Sequence, residues 1–566
     1  MAARRTLWRP RRRGDTGASI LGRHTLSPLA GRGQGEALGA LPRMPVTPAD
    51  VAFNAPSPSP QPSPRKDGER GRRALALALA AALLAGCNVG PDFAPPDPGL
   101  PNDAFSARDA RRVPAPPNPT WWQAFRDPVL TELEARVAAA NLDVKTATIR
   151  LAESRFQRGV AASALLPSVN ADAKYQYELY SQNGIAGLLT KLVPTTTTSS
   201  TPLTIPAISD YTIGFDASWE LDLWGHVRRS VESADAQVDQ SAEMRRDTLV
   251  SSLAELARDY VQLRGAQTQI AIANENLAIA REVQKVAEER QRKGVATGFD
   301  AQTSTAQSES VSARIPTLRS DESQYSNAIG FLLDEPPGAL QSTLAPRKRA
   351  LAPPGVPSLG VPAELARRRP DIRAAEARLH AATADIGVAV AAFYPTVKLN
   401  GVVSLDALDA KNLFKASSLQ YNAGPSIVLP IFDAGRLKSA LELRKAEQQE
   451  AAIVWRKTVL QAWREVVDAL TAYRREAERR AGLGRQMQHS RQALDIARSR
   501  YKTGVGQFLD VLDAERSYLQ AAQDFETSTT NVSLDLVTLY KALGGGWEEV
   551  FPDGPVEPEP VSYLPF

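Results

Sequence analysis

Apolar and polar residues alternate without a break from Tyr211 to Leu221: Tyr211, Ile213, Phe215, Ala217, Trp219 and Leu221 are apolar, and the residues between them are polar or glycine. A period of two predicts a strand with one apolar face. The same alternation follows Pro167 (Val169, Ala171, Ala173, Tyr175, Tyr177, Leu179) and Pro395 (Val397, Leu399, Gly401, Val403, Leu405). It returns less regularly from Tyr421 to Phe432. Four strands in two hairpins, residues 168–222 and 396–432, are therefore expected.

Between the strands the period changes. Leu249, Leu253, Leu256, Tyr260 and Leu263 follow a 4-3-4-3 spacing, a helix seam, and Val250, Ala254, Ala257 and Val261 lay a second seam beside it. Sixty-eight residues separate Gly225 from Gly294, about 100 Å of helix at roughly 1.5 Å per residue. Adding 210 to each number brings the pattern back: Gly424 for Gly214, Gly435 for Gly225, Gly504 and Val505 for Gly294 and Val295, Asp510 for Asp300. Val459, Trp463, Val466, Leu470 and Tyr473 repeat the first seam. The helical stretches before the hairpins, ending at Pro167 and Pro395, match at an offset of 228, with Gly159-Val160 against Gly387-Val388. The first hairpin is longer, and its extra length falls in the loop Ser181–Ser209. The chain is a tandem duplication.

This divides the sequence. The first repeat is 129–350, with a helix, the hairpin 168–222, a long helix 226–293 and a return helix 300–333. The second is 351–546, with a helix 363–394, the hairpin 396–432, a long helix 436–503 and a return helix 510–543. A helix with two adjoining seams touches a neighbour on each side, as in a tube of helices; a filled bundle is the plainer arrangement.

Residues 1–64 are rich in Arg, Gly and Pro and hold nothing that could bury a core. They read as a start placed too far upstream or as a disordered arm. Residues 65–86 read as a lipoprotein signal: Arg70, Arg72 and Arg73, a short apolar run, then Leu84-Ala85-Gly86 before Cys87, the one cysteine of the chain. Residues 87–128 carry many prolines and read as an anchored, extended tether, and 547–566 as a loose acidic tail. The leader also explains the charge. Residues 1–86 hold 14 of the 67 basic side chains and 5 of the 63 acidic ones, so the chain from Cys87 onward carries a net charge of −5. A nucleic-acid partner is not expected.

Lipid imposes closure on a sheet, because every backbone polar group must be paired there. Four strands cannot close, since barrels begin at about eight. Two further readings compete with a channel: a periplasmic coiled-coil adaptor accounts for the helices, and an outer-membrane diffusion porin accounts for the strands. Two copies of the chain would give a plugged barrel, three an open one.

From Cys87 to Gly546 the chain resembles the outer-membrane factors of tripartite efflux pumps, the TolC/OprM/NodT group, and its lipid-anchored branch in particular. The resemblance rests on Cys87-Asn-Val-Gly-Pro91, Trp121-Trp122 with Asp127-Pro128, Trp219 through Gly225, Arg368 through Ile372, Pro430-Ile-Phe-Asp433 with Gly435, and Tyr501 through Asp513. It implies a mainly α protein with a membrane β part: a trimer with a 12-stranded barrel in the outer membrane, fused to a periplasmic α-helical barrel. It implies a passive exit duct for drugs or other toxic small molecules, with a periplasmic adaptor and a proton-driven inner-membrane transporter as partners. It also implies lipidation at Cys87, a periplasmic gate at Asp510 and Asp513, gate-closing contacts at Asp300 and Tyr501, and adaptor docking at the turns Gly294-Val295 and Gly504-Val505. Where a basic residue helps latch the tip in the best-known member, Gly506 stands here, implying a weaker or differently made latch.

The residues alone offer a plainer role for Asp300 and Asp510, since an Asp just after a glycine turn caps the next helix. Asp513 has no such explanation; its counterpart in the first half is Thr303. The chain lacks a phosphate-binding Gly-x-x-x-x-Gly-Lys-Ser/Thr loop and a Gly-x-Ser-x-Gly elbow, and its four histidines are scattered. No enzymatic activity, cofactor or metal is expected.

Overall fold

The computed structural model describes residues 88–100, 118–181, 206–346, 351–355, 359–360 and 362–553. The signal with Cys87, most of the loop Ser181–Ser209 and the tail beyond Asp553 lie outside them. A 3-10 turn, Trp121–Phe125, opens the folded part. Helices α1 (Pro128–Ala140) and α2 (Leu142–Ser163) lead into β1 (Ser168–Glu178) and β2 (Ile208–Leu221). The long helix α3 (His226–Arg292) returns as α4 (Gly298–Ser312) and α5 (Arg314–Leu332). The second half repeats this with α6 (Pro362–Arg368), α7 (Pro370–Ala391), β3 (Thr396–Ala407), β4 (Leu419–Val428), α8 (Arg436–Lys502) and α9 (Phe508–Leu543). Both long helices run 67 residues, and both start at a left-handed glycine, Gly225 (φ 85°) and Gly435 (φ 86°).

Three helices expected to be continuous are broken, each for a local reason. The first stops at Asn141, whose side chain accepts from the amides of Asp143 and Val144 and donates to the Leu332 carbonyl at 3.1 Å. That is an N-cap inserted into an alanine-rich run. The first return helix breaks at Ala313. Pro316 can donate no amide proton and its ring crowds the carbonyl four residues back, so it is tolerated only in the first turn of a new helix. The helix expected over 363–394 restarts at Pro370, its first helical residue. In the second return helix no proline intervenes, and α9 is unbroken.

The seams are buried as the spacing requires. Leu249, Leu256, Tyr260, Leu263, Val459 and Val466 are fully enclosed, in one core with Trp121, Leu130, Ile329, Leu536 and Tyr540. Trp121 stacks on Tyr540 at 4.9 Å, and the Tyr260 hydroxyl donates to Asp127, which also caps α1. A second, smaller core with Leu494, Tyr501, Phe508, Val511 and Leu519 sits at the far end of the long helices.

The sheet order is β1-β2-β3-β4, all antiparallel, so the two hairpins join through β2 and β3. Register places the alternating residues of all four strands on common faces. Ala171, Phe215, Val403 and Tyr421 lie side by side, as do Ala173, Ile213, Leu405 and Leu419. This apolar face is uncovered: Phe215 is 62% and Tyr421 81% exposed. The opposite face carries a ladder of polar contacts, Asn170 to Asp216, Ser218 to Asn400, Asn400 to Ser426 and Gln420 to Ser404, at 3.0–3.1 Å. Among the described residues no helix is long and apolar enough to cross a membrane.

An arginine on the apolar face, mid-strand, costs about 2–4 kcal/mol in a bilayer. Phe215→Arg is therefore expected to remove assembled protein from the membrane fraction. Asp216→Arg, one residue away on the polar face, should leave assembly unchanged; equal loss in both variants would refute the assignment of faces.

Candidate functional site

The two helix-to-helix turns at the far end are built alike. In the first, the Gly294 amide donates to the Gln291 carbonyl and the Val295 amide to the Arg290 carbonyl, both at 2.9 Å. In the second, the Gly504 amide donates to Tyr501 at 3.1 Å and the Val505 amide to Arg500 at 3.0 Å. This nested pair of bonds closes a helix end and needs a left-handed residue, supplied by Gly294 (φ 73°) and Gly504 (φ 79°). A reciprocal cap follows each turn. Asp300 accepts from the Thr297 amide while Thr297 accepts from the Asp300 amide; Gln507 and Asp510 do the same in the second half. The expected capping role of Asp300 and Asp510 is thus visible in the chain itself. Asp513 lies exposed on the next turn of α9, on the same side as Asp510.

Tyr501 is buried between the hairpins. Its ring lies 5.7 Å from Phe508, and the Arg290 guanidinium, from the other hairpin, sits 4.5 Å from the ring centre. Arg290 also donates to the Tyr501 carbonyl at 3.4 Å. Burial lifts the Tyr501 phenol above its ordinary value; Arg290 opposes the shift and the Asp300 charge adds to it. A basic residue thus meets this tyrosine from position 290, across the hairpins.

Besides Arg290, sequence reasoning missed three features here. Phe299 and Leu509, equivalent under the 210-residue offset, are 74% and 57% exposed beside Val295 and Val505, giving each turn an apolar pair at its apex. Spacing could have found them. The third is Glu515, fully enclosed in the tip core with neither carboxylate oxygen hydrogen-bonded. Burial pushes its pKa up, against the pull of Arg498 and Arg516.

The family model described as outer membrane efflux protein matches residues 134–334 and 361–545, one segment for each repeat. The chain belongs to that family. It is an outer-membrane efflux channel, and neither a separate adaptor nor a simple diffusion porin. The outer membrane protein OprJ of Pseudomonas aeruginosa is 30% identical over 479 residues, covering 83% of this chain and 95% of OprJ. A probable outer membrane lipoprotein of Salmonella typhimurium, SilC, is 28% identical over 478 residues, covering 82% and 97%. The solved structure of the outer-membrane channel OprN superposes with a TM-score of 0.73 at 33% identity, over 82% of this chain and all of OprN. Efflux channels of this kind are trimers that work with adaptors and inner-membrane pumps.

In this efflux channel the buried Glu515 carries a pH signature. A carboxyl whose pKa is raised by packing stabilises the packed tip fully below the ordinary glutamate value of about 4.3, and that contribution is lost as pH rises through the raised value. Amide-exchange protection over residues 508–519 should therefore fall from acid to neutral pH, and Glu515→Gln should flatten the slope. Parallel slopes in wild type and variant would exclude Glu515 as the titrating group.

Proposed function

We propose that three copies of this chain form a passive exit duct of a tripartite efflux system, carrying drugs or other toxic small molecules across the outer membrane without enzymatic turnover or cofactor. The observation that carries this reading is a four-stranded sheet with one uncovered apolar face, one polar face and two edges left unpaired among the described residues, fused to 67-residue helices. Three such sheets supply twelve strands, enough for an open lumen. The polar ladder lines the lumen and the apolar face meets lipid.

Cys87 is the lipid attachment point in this reading, as the leader pattern and the likeness to a probable lipoprotein support. The two turns, Gly294-Val295 and Gly504-Val505, with Phe299 and Leu509, present six apolar apices per trimer to the adaptor. A proton-driven inner-membrane transporter supplies the energy. Tyr501 and Asp300 hold the hairpins together in the closed tip, with Arg290 as the basic partner.

Asp510 and Asp513 form the gate. Around a threefold axis their six carboxylates repel one another and concentrate cations in the mouth. Asp510 also accepts from the Gln507 amide in the capping box of α9, so its replacement loosens the start of that helix, whereas Asp513 lies beyond the cap. In planar bilayers the trimer should conduct and be blocked by trivalent cations from the tip side. Asp510→Ala with Asp513→Ala should weaken that block about tenfold or more, and Asp513→Ala alone should weaken it in part. Unchanged block in both would take these carboxylates out of the gate, and a non-conducting monomer would overturn the duct.

A further inference from the structure

The prolines of residues 88–100 predict a loose tether, yet its first residues are held along their length. The Val89 amide donates to the Trp224 carbonyl at 3.2 Å. Arg229, in the first turns of α3, keeps only 2% of its side chain exposed and closes around the strap. Its Nε donates to the Val89 carbonyl at 3.2 Å and its Nη2 to Asp92 Oδ1 at 2.6 Å, while Nη1 donates to Glu232 at 2.7 Å. Farther on, the Phe93 ring stacks on His380 with centroids 4.4 Å apart, and His380 Nε2 lies 3.2 Å from the same Glu232 carboxylate.

The groove is shaped to this occupant. A Cβ on Gly90, whose φ is +92°, would lie 2.5 Å from the Cα of Gly387. A Cβ on Gly387 would lie 2.8 Å from Cγ and Cδ of Arg229. A Cβ on Gly225 would lie 2.1 Å from Oδ1 of Asn88. Backbone meets backbone at Gly90 and Gly387, and nothing larger fits either side. Without the strap, Arg229 would keep only Glu232 as a charged partner, and a buried guanidinium is costly to leave so poorly matched.

We propose that the groove between the first turns of α3 and the C-terminal half of α7 is a seat for the mature N-terminus, with Arg229 as its positioning residue, and that it fixes the height of the lipid anchor. The proposal rests on the reading of Cys87 as the lipidated residue. Asn88 lies against Gly225, four residues past the end of β2, and one peptide unit spans about 3.8 Å between Cα atoms. The acyl chains therefore start beside the junction where helix becomes strand. Trp224 and Tyr394 stack there at 4.9 Å, and Trp224 donates to the Pro395 carbonyl at 2.8 Å. Such amphipathic rings favour the headgroup level. Anchor and apolar wall thus enter the membrane at one depth, and the anchor serves as a stop, not a leash.

Inside a helix Ala is normally the better residue than Gly, but a Cβ on Gly387 would lie 2.8 Å from Cγ and Cδ of Arg229, so Gly387→Ala pushes the guanidinium off the strap, and the state of the strap itself is the readout. The test uses full-length, processed trimer in liposomes and follows chymotrypsin cleavage after Phe93 by mass spectrometry of the released N-terminal peptide. Wild type should resist. Asp92→Asn, on the exposed strap where it cannot unfold the body, should speed cleavage about threefold, and Gly387→Ala about tenfold, with the trimer intact. Equal cleavage rates in wild type and both variants would overturn the seat. A released peptide without an acyl group would overturn the lipid reading alone, and the rate comparison would still judge the seat.

Discussion

A backbone amide or carbonyl without a partner costs several kcal/mol in hydrocarbon, and among the described residues no strand pairs with the outer edge of β1 or of β4. Hydrophobicity alone could place the apolar face in lipid. It could not place the edges there. The strands are thus committed to other strands, and the polar ladder from Asn170 across to Ser426 commits the opposite face to water. One sheet with an apolar side, a wet side and two open edges is a sector of a cylinder. Closing it requires further copies of the chain, and the family does so as a trimer.

The helices inherit their arrangement from that cylinder. Gly225 and Gly435 turn strand into helix with φ values that agree within a degree, although the hairpins before them differ in length. Duplication kept the joint and varied the loop. Past the joint, each long helix buries its seam against the shorter helices of the chain. Toward the tip the return helices remain beside it, the two long helices meet through Arg290 and Tyr501, and a separate small core takes over. Stability there depends on few residues, which suits a tip proposed to open.

The elements repeated at long range were legible in the sequence because periodicity is a property of many residues at once. The two seams, the four alternating stretches and the glycine landmarks all recur at one offset, and each ends up where its period places it. Single residues decided what was not legible. Asn141 breaks a run of alanines by capping, and Pro316 breaks a helix three residues before its own position; both sit in stretches whose overall pattern stays helical. The strap was hidden for a different reason. Its composition is that of a tether, and its partner Arg229 lies 137 residues from Asp92. At the tip, the repeat offset located Asp300 and Asp510 and the resemblance located Tyr501, but Arg290 acquires its importance from a contact across hairpins and Glu515 from burial in the tip core, which no window along the chain reports.

The two tips share their turns and caps but not their charge, and this asymmetry bears on how such a gate works. Asp300 and Asp510 are equivalent, half engaged in capping. Asp513 faces Thr303 across the repeat, and the buried Glu515 faces Thr305. The first return helix is also split at Ala313, while α9 runs unbroken from the tip to the main core. Around the proposed threefold ring, hairpins carrying Asp510 and Asp513 would alternate with hairpins carrying Asp300 alone. Repulsion then acts on every second hairpin, and a continuous α9 carries any displacement upward as one rod, where a split α4–α5 would absorb it at the break. Duplication supplied two equal hairpins; on the proposed gate, an extra carboxylate and an unbroken helix in one of them would let a ring of six open through three.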